Sequence, residues 1–350
     1  MILKIVLFPF YLLYYTAVSL RNLLYDRKII RSVSFDVPVI NVGNLSVGGN
    51  GKTPMVEYLM SEFSEKWKIA VLSRGYGRKS KGFREVLPED LAIDSGDEPL
   101  QIKRAFGEKI KVFVGEDRVE AITKILFQYP EIQCIVLDDA YQHRAVKAGL
   151  NLLLTDFSKP FFRDYVLPLG RLREPRKGAK RADMIFVTKC PNNLTNELKN
   201  SYKNELKLYS DKAFFTGLKY AQPKKIYHKA STGSKPSYFL VTAIANPAPL
   251  EQFARENYSV SGVLHFRDHH NFTKSDLNQI EAKIANFAPA SIEMLTTTKD
   301  AVRFMDLVNA GWKPSFDISV IQVVPDWNEN EKLSFNKIID NYVRTSLGDR

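Results

Sequence analysis

The sequence predicts an α/β fold, a mostly parallel sheet with helices on both faces, followed by a smaller α/β unit. Two observations carry this. Short continuous apolar runs alternate with helical patterns from residue 39 to residue 190, as expected for parallel strands buried on both faces. The first run, Val39-Ile-Asn-Val-Gly-Asn44, also passes through a glycine-rich turn directly into a helical pattern. At 350 residues, 45% hydrophobic and 25% charged, the chain is globular in composition and long enough for two ordinary domains.

The N-terminal element stands apart. Residues 2–20 are almost wholly apolar and rich in aromatics, and Arg21, Arg27, Lys28 and Arg31 follow. A secretory signal fits poorly, because no small-residue cleavage site closes the stretch. A full membrane span is marginal, since Lys4 and Pro9 interrupt it. The pattern favours a helix lying in or dipping into a bilayer, with its basic flank on the cytoplasmic side. A helix packed on the protein itself is the alternative. The segment 1–31 is therefore assigned to a membrane-associated helix and its flank, and 32–210 to the core domain.

Next comes the loop Ser46-Val-Gly-Gly-Asn-Gly-Lys-Thr53. Gly48, Gly49 and Gly51 let backbone N–H groups turn inward around a phosphate, Lys52 supplies the cation, and Thr53 offers a hydroxyl to Mg²⁺. Pro54 suits the first helical position, and Met55, Val56, Leu59, Met60 and Phe63 continue at helical spacing. A strict phosphate loop has glycine where this chain has Ser46. Ser46, Val47, Gly48, Gly49, Asn50, Gly51, Lys52 and Thr53 are the expected nucleotide-phosphate site.

Further strands end in polar turns: Ile69–Ser73 before Arg74-Gly-Tyr-Gly-Arg78, Lys111–Gly115 before a helix, and Cys134–Leu137 before Asp138-Asp139. Leu150–Leu154 precedes Thr155-Asp156, and Met184–Thr188 precedes Lys189. Residues 211–236 change character, with a strand-like Phe214–Tyr220 and a linker-like Ser231–Pro236. They are assigned as a linker, and 237–350 as the second α/β domain. Its expected strands are Tyr238–Ala243, Ser261–His265, Ile292–Thr296 and Ile318–Val324.

Several groups are candidates for chemistry. Asp138 and Asp139 end a hydrophobic strand, the place where a carboxylate holds Mg²⁺ beside a phosphate loop. Asp97 opens a helix, where capping and catalysis are competing readings. Glu174 lies within a basic stretch from Arg171 to Arg181, which suggests an ion-pair or metal role for it and phosphate contacts for the arginines. Asp268-His-His270 carries a histidine beside an aspartate, a proton-handling pattern rather than a zinc site. Cys134 and Cys190 lack metal or disulfide spacing. The formal charge of +11 suits nucleic acid, an anionic membrane surface or a phosphorylated substrate. Nucleic-acid binding would leave the paired aspartates and the apolar N-terminus unexplained.

Taken in order, the motifs resemble the tetraacyldisaccharide 4′-kinase family. They are Val42-Gly-Asn44, Gly48-Gly-Asn-Gly-Lys-Thr-Pro54, Ser73-Arg-Gly-Tyr-Gly-Arg78, Gly96-Asp-Glu-Pro99, Asp138-Asp139, Gln142-His143, Arg171-Leu-Arg-Glu174, Asp268-His-His270 and Lys299-Asp-Ala-Val302. Two departures are Ala140 and Ala243, where the family usually has glycine. The resemblance implies phosphoryl transfer from ATP to the 4′-hydroxyl of a tetraacylated glucosamine disaccharide 1-phosphate, with Mg²⁺. It implies Lys52 at the β- and γ-phosphates, Thr53, Asp138, Asp139 and Glu174 around Mg²⁺, and Asp97 with His269, chosen over His270, as the base unit. It makes Asn44, Arg74, Tyr76, Gln142, His143 and Arg173 candidates for the disaccharide and its phosphate. The implied setting is the cytoplasmic face of the inner membrane, with the lipid disaccharide and the bilayer as partners, no nucleic acid and no obligate protein partner. The rival reading, a membrane-associated regulatory ATPase switch, wants a second lysine where Val47 stands. A GTPase wants an aspartate that Thr188-Lys-Cys-Pro191 lacks.

Overall fold

The computed structural model describes residues 2–229, 237–268, 270–287 and 292–348. In chain order the first lobe contains α1 (Ile2–Asp26), β1 (Val39–Asn44), α2 (Lys52–Phe63), β2 (Ile69–Ser73), β3 (Arg84–Glu85), α3 (Ala92–Ser95), α4 (Asp97–Phe106), β4 (Lys111–Val114), α5 (Arg118–Gln128), β5 (Cys134–Asp138), β6 (Leu150–Asp156), β7 (Met184–Thr188), α6 (Asn196–Leu206) and β8 (Ala213–Phe215). There follow β9 (Gly217–Tyr220), β10 (Lys224–Tyr227), β11 (Ser237–Thr242), α7 (Ala248–Asn257), β12 (Val260–His265), α8 (Lys274–Ala285), β13 (Ile292–Thr297), α9 (Thr298–Asn309), β14 (Asp317–Ile321), β15 (Val323–Asp326) and α10 (Glu329–Gly348).

The first sheet runs β3-β4-β2-β5-β1-β6-β7-β8, with only the β3 edge antiparallel. Alternate residues of one strand serve opposite faces. Ile40, Val42, Ile69, Val71 and Val136 meet Met55, Val56 and Leu59 of α2 on one side. Val39, Ala70, Leu72, Ile135 and Leu137 meet Ala121, Ile122 and Ile125 of α5 on the other. The continuous apolar runs of the sequence thus follow from helices on both faces. The connection after β1 runs toward β2 on one side and the connection after its neighbour β6 runs toward β7 on the other, the place where such sheets open a crevice for ligands.

The second lobe repeats this plan with β10-β14-β13-β11-β12, again with one antiparallel edge, β10. One face packs on α8 and α9 through Leu277, Ile280, Ile284 and Phe304, and the other on α7 through Leu250 and Ala254.

Several expectations change here. The segment expected as a linker holds β8, which completes the first sheet, together with β9 and β10. Two expected single strands are each divided between partners: Phe214–Tyr220 becomes β8 and β9, and Ile318–Val324 becomes β14 and β15. β9 and β15 pair with each other as an antiparallel ribbon between the lobes. An apolar run records burial, not which sheet accepts its hydrogen bonds. The second unit also ends before α10, because Phe335, Ile339 and Val343 sit in the first lobe's core with Phe186 and Phe214. Tyr342 Oη bonds to the N and O of Val39 at 3.2 and 3.3 Å.

α1 docks by its C-terminal half. Tyr14 Oη donates to the Arg173 carbonyl at 3.0 Å, Asn22 Nδ2 to Glu174 at 2.9 Å, and Arg144 to Asp26 at 2.7 Å. Its outward residues Ile5, Phe10 and Leu13 are 67%, 62% and 72% exposed. Among the described residues no helix is long and apolar enough to cross a membrane.

Candidate functional site

The glycine loop leaves the end of β1 and becomes α2 at Lys52. Gly48 and Gly51 adopt φ of 104° and 79°, which a β-carbon disfavours, so these two glycines turn the chain. Pro54 is the third helical residue rather than the first. It still costs no bond, because the first four helical N–H groups lack partners within the helix. Ser46 is part of the scaffold: its Oγ accepts from Asn50 Nδ2 at 2.9 Å, and its carbonyl accepts from Asn44 Nδ2 at 2.7 Å. Asn44, expected at the disaccharide, is fully buried and holds the loop instead.

Two neighbouring segments brace the loop. The Arg173 N–H donates to the Leu45 carbonyl at 2.7 Å, and the Val47 N–H to the Arg171 carbonyl at 2.8 Å. On the β7 side, Thr188 Oγ1 donates to the Asn50 carbonyl at 3.0 Å. Lys189 Nζ donates to the Gly49 carbonyl at 2.5 Å and pairs with Asp156 at 3.0 Å. Lys189 has a φ of 56°. Its role was hidden in the sequence, although it ends a strand of the same sheet.

The carboxylates at the end of β5 diverge. Asp138 is 1% exposed, and among the described residues neither of its oxygens has a hydrogen-bond partner. Burial, reinforced by Glu98 and Asp139, pushes it up to about 8 against the pull of Lys52 and Arg118. Asp139 takes a left-handed φ of 51° and faces Lys52 at 3.6 Å and Arg173 at 3.0 Å. Burial would raise its pKa, but Lys52 and Arg173 outweigh that and hold it below the usual carboxylate range.

A buried carboxylate with two empty oxygens, beside a loop whose Thr53 carries a hydroxyl, fits a divalent cation. Glu174 does not fit so well. It is fully buried, and its oxygens take Arg181 at 2.8 Å, Gln142 at 3.0 Å and Asn22 at 2.9 Å, so it acts as a hub joining the loop-bracing segment to α1.

Around this centre lie basic groups. Gln142 Nε2 donates to the Asn44 carbonyl at 2.9 Å, and Arg173 reaches Gln142 Oε1 at 3.4 Å. The Arg118 N–H donates to His143 Nε2 at 3.4 Å. Burial, followed by Arg118, holds His143 below its ordinary value. Arg118 was not singled out from sequence. It begins α5 at the end of β4, is 2% exposed, and is pushed down to about 10 by burial and then by Arg74. It keeps its charge at neutral pH. Arg74 and Tyr76 occupy the loop after β2, where Tyr76 is 86% exposed. Gly43 has its own reason: a β-carbon there would meet Tyr141 Cβ at 2.6 Å.

Asp97 is the first residue of α4, preceded by Gly96 at the cap position. Its carboxylate is gripped by Arg303 from α9, through Nη2 and also Nε at 3.3 Å. His269 lies outside the described residues. His270 pairs with Asp276 at 3.0 Å and stacks on Phe266, while Asp268 accepts from Lys299 at 3.4 Å. The expected proton-handling pair therefore finds, at His270, a partner six residues downstream. Ala243 donates its N–H to Asp300 at 2.9 Å, a bond that glycine would make equally. Among the described residues no group of three or more His, Cys, Asp or Glu side chains gathers as a metal cluster.

The family model described as Tetraacyldisaccharide-1-P 4′-kinase matches residues 3–344. Tetraacyldisaccharide 4′-kinases of Flavobacterium johnsoniae and Flavobacterium psychrophilum are each 41% identical to this chain. The first match covers 93% of the chain and 98% of the relative; the second covers 98% of each. The Bacteroides fragilis enzyme of the same name is 38% identical, over 97% of this chain and 93% of its own. Among solved structures, LpxK of Aquifex aeolicus, crystallised in complex with ATP, is similar with a TM-score of 0.73 and 26% identity, over 97% of this chain and 99% of its own.

Proposed function

The chain belongs to the tetraacyldisaccharide-1-P 4′-kinase family, and from that premise we propose how its residues divide the labour. The reaction is ATP-dependent phosphorylation of the 4′-hydroxyl of a tetraacyldisaccharide 1-phosphate, a step of lipid A biosynthesis. On the donor side, N–H groups of the 46–51 loop and Lys52 hold the β- and γ-phosphates. Thr53 and Asp138 hold Mg²⁺, which when bound neutralises charge developing on the phosphate oxygens. Asp139, kept ionised by Lys52 and Arg173, orients Lys52 beside the carboxylate that would hold the ion. Glu174 supports the site through Gln142 and Arg181 rather than as a ligand.

On the acceptor side, Asp97 and His269 take the proton from the sugar hydroxyl as its oxygen attacks the γ-phosphorus and the bond to ADP breaks. Arg74, Tyr76, Gln142, His143 and Arg173, together with Arg118, face the disaccharide and its phosphate. Asn44 contributes through the shape of the loop. α1 places its exposed apolar face in the cytoplasmic leaflet of the inner membrane, with no obligate protein partner. Because α1 docks on Arg173 and Glu174, the acyl chains can stay in lipid while the sugar reaches the loop.

The observation that carries this reading is Asp138, a buried, unpartnered carboxylate one strand from the phosphate loop. Incubation with ATP, Mg²⁺ and a tetraacyl disaccharide 1-phosphate in micelles should add one phosphoryl group to the lipid by mass. Asp138→Asn should lose this product; full turnover by that variant would remove Asp138 from the metal site. Removal of residues 2–20 should shift the protein out of the vesicle fraction on flotation, and unchanged flotation would place membrane binding elsewhere.

A further inference from the structure

The family motif Lys299-Asp-Ala-Val302 is left without a role by the donor and acceptor groups above, and its helix supplies one. The first turns of α9 reach three separate pieces of the molecule. Lys299 meets Asp268 at 3.4 Å; buried Asp300 takes the Ala243 N–H at 2.9 Å; Arg303 crosses to the first lobe. Arg303 is 8% exposed and uses all three guanidinium nitrogens: Nη2 and Nε on the two oxygens of Asp97, and Nη1 on the carbonyl of His270 at 3.1 Å. The residues on either side of position 269 are thus both tied to α9. One is held by its carboxylate and the other by its carbonyl.

We propose that Arg303 is the positioning residue of the proton-transfer centre. It fixes the orientation of Asp97 with a bidentate grip and, through the His270 carbonyl, sets the histidine-bearing loop of the second lobe against it. Asp97 stands on α4 and His270 between β12 and α8, so their relative position is set by a contact that crosses between the lobes. A planar guanidinium is suited to this, since its fork matches a carboxylate while its third nitrogen points to a separate acceptor. The inference rests on reading Asp97 and His269 as the base unit.

The test uses the full chain in mixed micelles with ATP, Mg²⁺ and the lipid acceptor. Arg303→Gln should lower kcat by about 10²-fold, the scale of a small misplacement of a reacting group, with KM for ATP within about twofold of wild type. Arg303→Lys, which keeps the charge but not the fork, should recover part of the loss. In an Asp97→Asn background Arg303→Gln should add nothing. Arg104→Gln removes another ion pair between the same helices, with Asp306 at 2.7 Å, and should leave kcat in place. The proposal is overturned if kcat of Arg303→Gln stays within about twofold of wild type, if the losses at 97 and 303 multiply, or if Arg104→Gln matches the loss. Should the glutamine variant fail to fold, the lysine variant in the same cycle decides. Full turnover by Asp97→Asn alone would take down the reading of the base unit, and this inference with it.

Discussion

The donor and acceptor halves of the site are built differently. The phosphate loop follows β1, the carboxylates end the adjacent strand β5, and the braces come from the 171–173 segment and from the end of β7, all within the first lobe. The acceptor half is spread over both lobes. Asp97 sits on α4, its guanidinium partner on α9, and His270 on a loop of the second lobe. On the proposed assignment, the donor groups are held within one lobe, whereas the proton-transfer groups are held by a contact between lobes.

Four experiments break or sharpen that contrast. Lys52→Ala should cause the largest loss, about 10³-fold in kcat or more, and should weaken ATP binding by calorimetry as well; intact ATP binding would unseat the donor assignment. Asp97→Asn should lose about 10²-fold in kcat while ATP binding by the same calorimetry is retained, and a parallel loss of both would mean that the halves are not separate.

The third experiment is a pH test. Asp138 is raised from 3.8 to about 8 by burial, then by Glu98 and Asp139, so the folded chain without metal takes up a proton there. Its contribution is complete below pH 3.8 and is lost as pH rises through about 8. In EDTA the melting temperature should therefore fall as pH rises from about 4 to about 8 and level off above that, and less so in Asp138→Asn. Mg²⁺ should restore it only in wild type, and equal slopes would contradict an unpaired Asp138. The smallest effect is expected for Arg104→Gln. The guanidinium holds the partly buried Asp306 and the carbonyls of Pro88, Asp90 and Val302, so its loss should cost about 2 kcal/mol by urea unfolding, and a cost several times larger would make this contact, rather than Arg303, the main interlobe fastening.

What the sequence revealed follows the same divide. Gly48 to Thr53 and Asp138-Asp139 were legible because a phosphate loop needs particular residue types at fixed local spacing. The parallel sheet was legible because burial on both faces leaves runs such as Cys134–Leu137. Arg118, Lys189 and Arg303 were not, since each acts through an atom brought close only by the fold: Lys189 reaches Gly49 across 140 positions, and Arg303 reaches Asp97 across 206. For Glu174 the sequence left an ion-pair and a metal role open, and the structure shows the ion pair with Arg181. A carboxylate among arginines reads alike whether it faces a metal or a guanidinium. The strand assignments at 214–220 and 318–324 erred where one apolar run serves two sheets in turn.

The position of α10 has a consequence for how the protein is made. The chain builds the eight strands of the first sheet by residue 215, passes through the second lobe, and only then delivers the helix that covers the first. Phe335, Ile339 and Val343 each contribute roughly 1.5–3 kcal/mol of burial, a large share of a typical domain's net stability. On the ribosome, therefore, the first sheet waits with part of one apolar face uncovered until about 130 further residues have emerged, several seconds at ordinary elongation rates. Premature termination anywhere in the second lobe would leave a complete phosphate loop on a sheet missing its last covering helix, a natural substrate for chaperones and proteases.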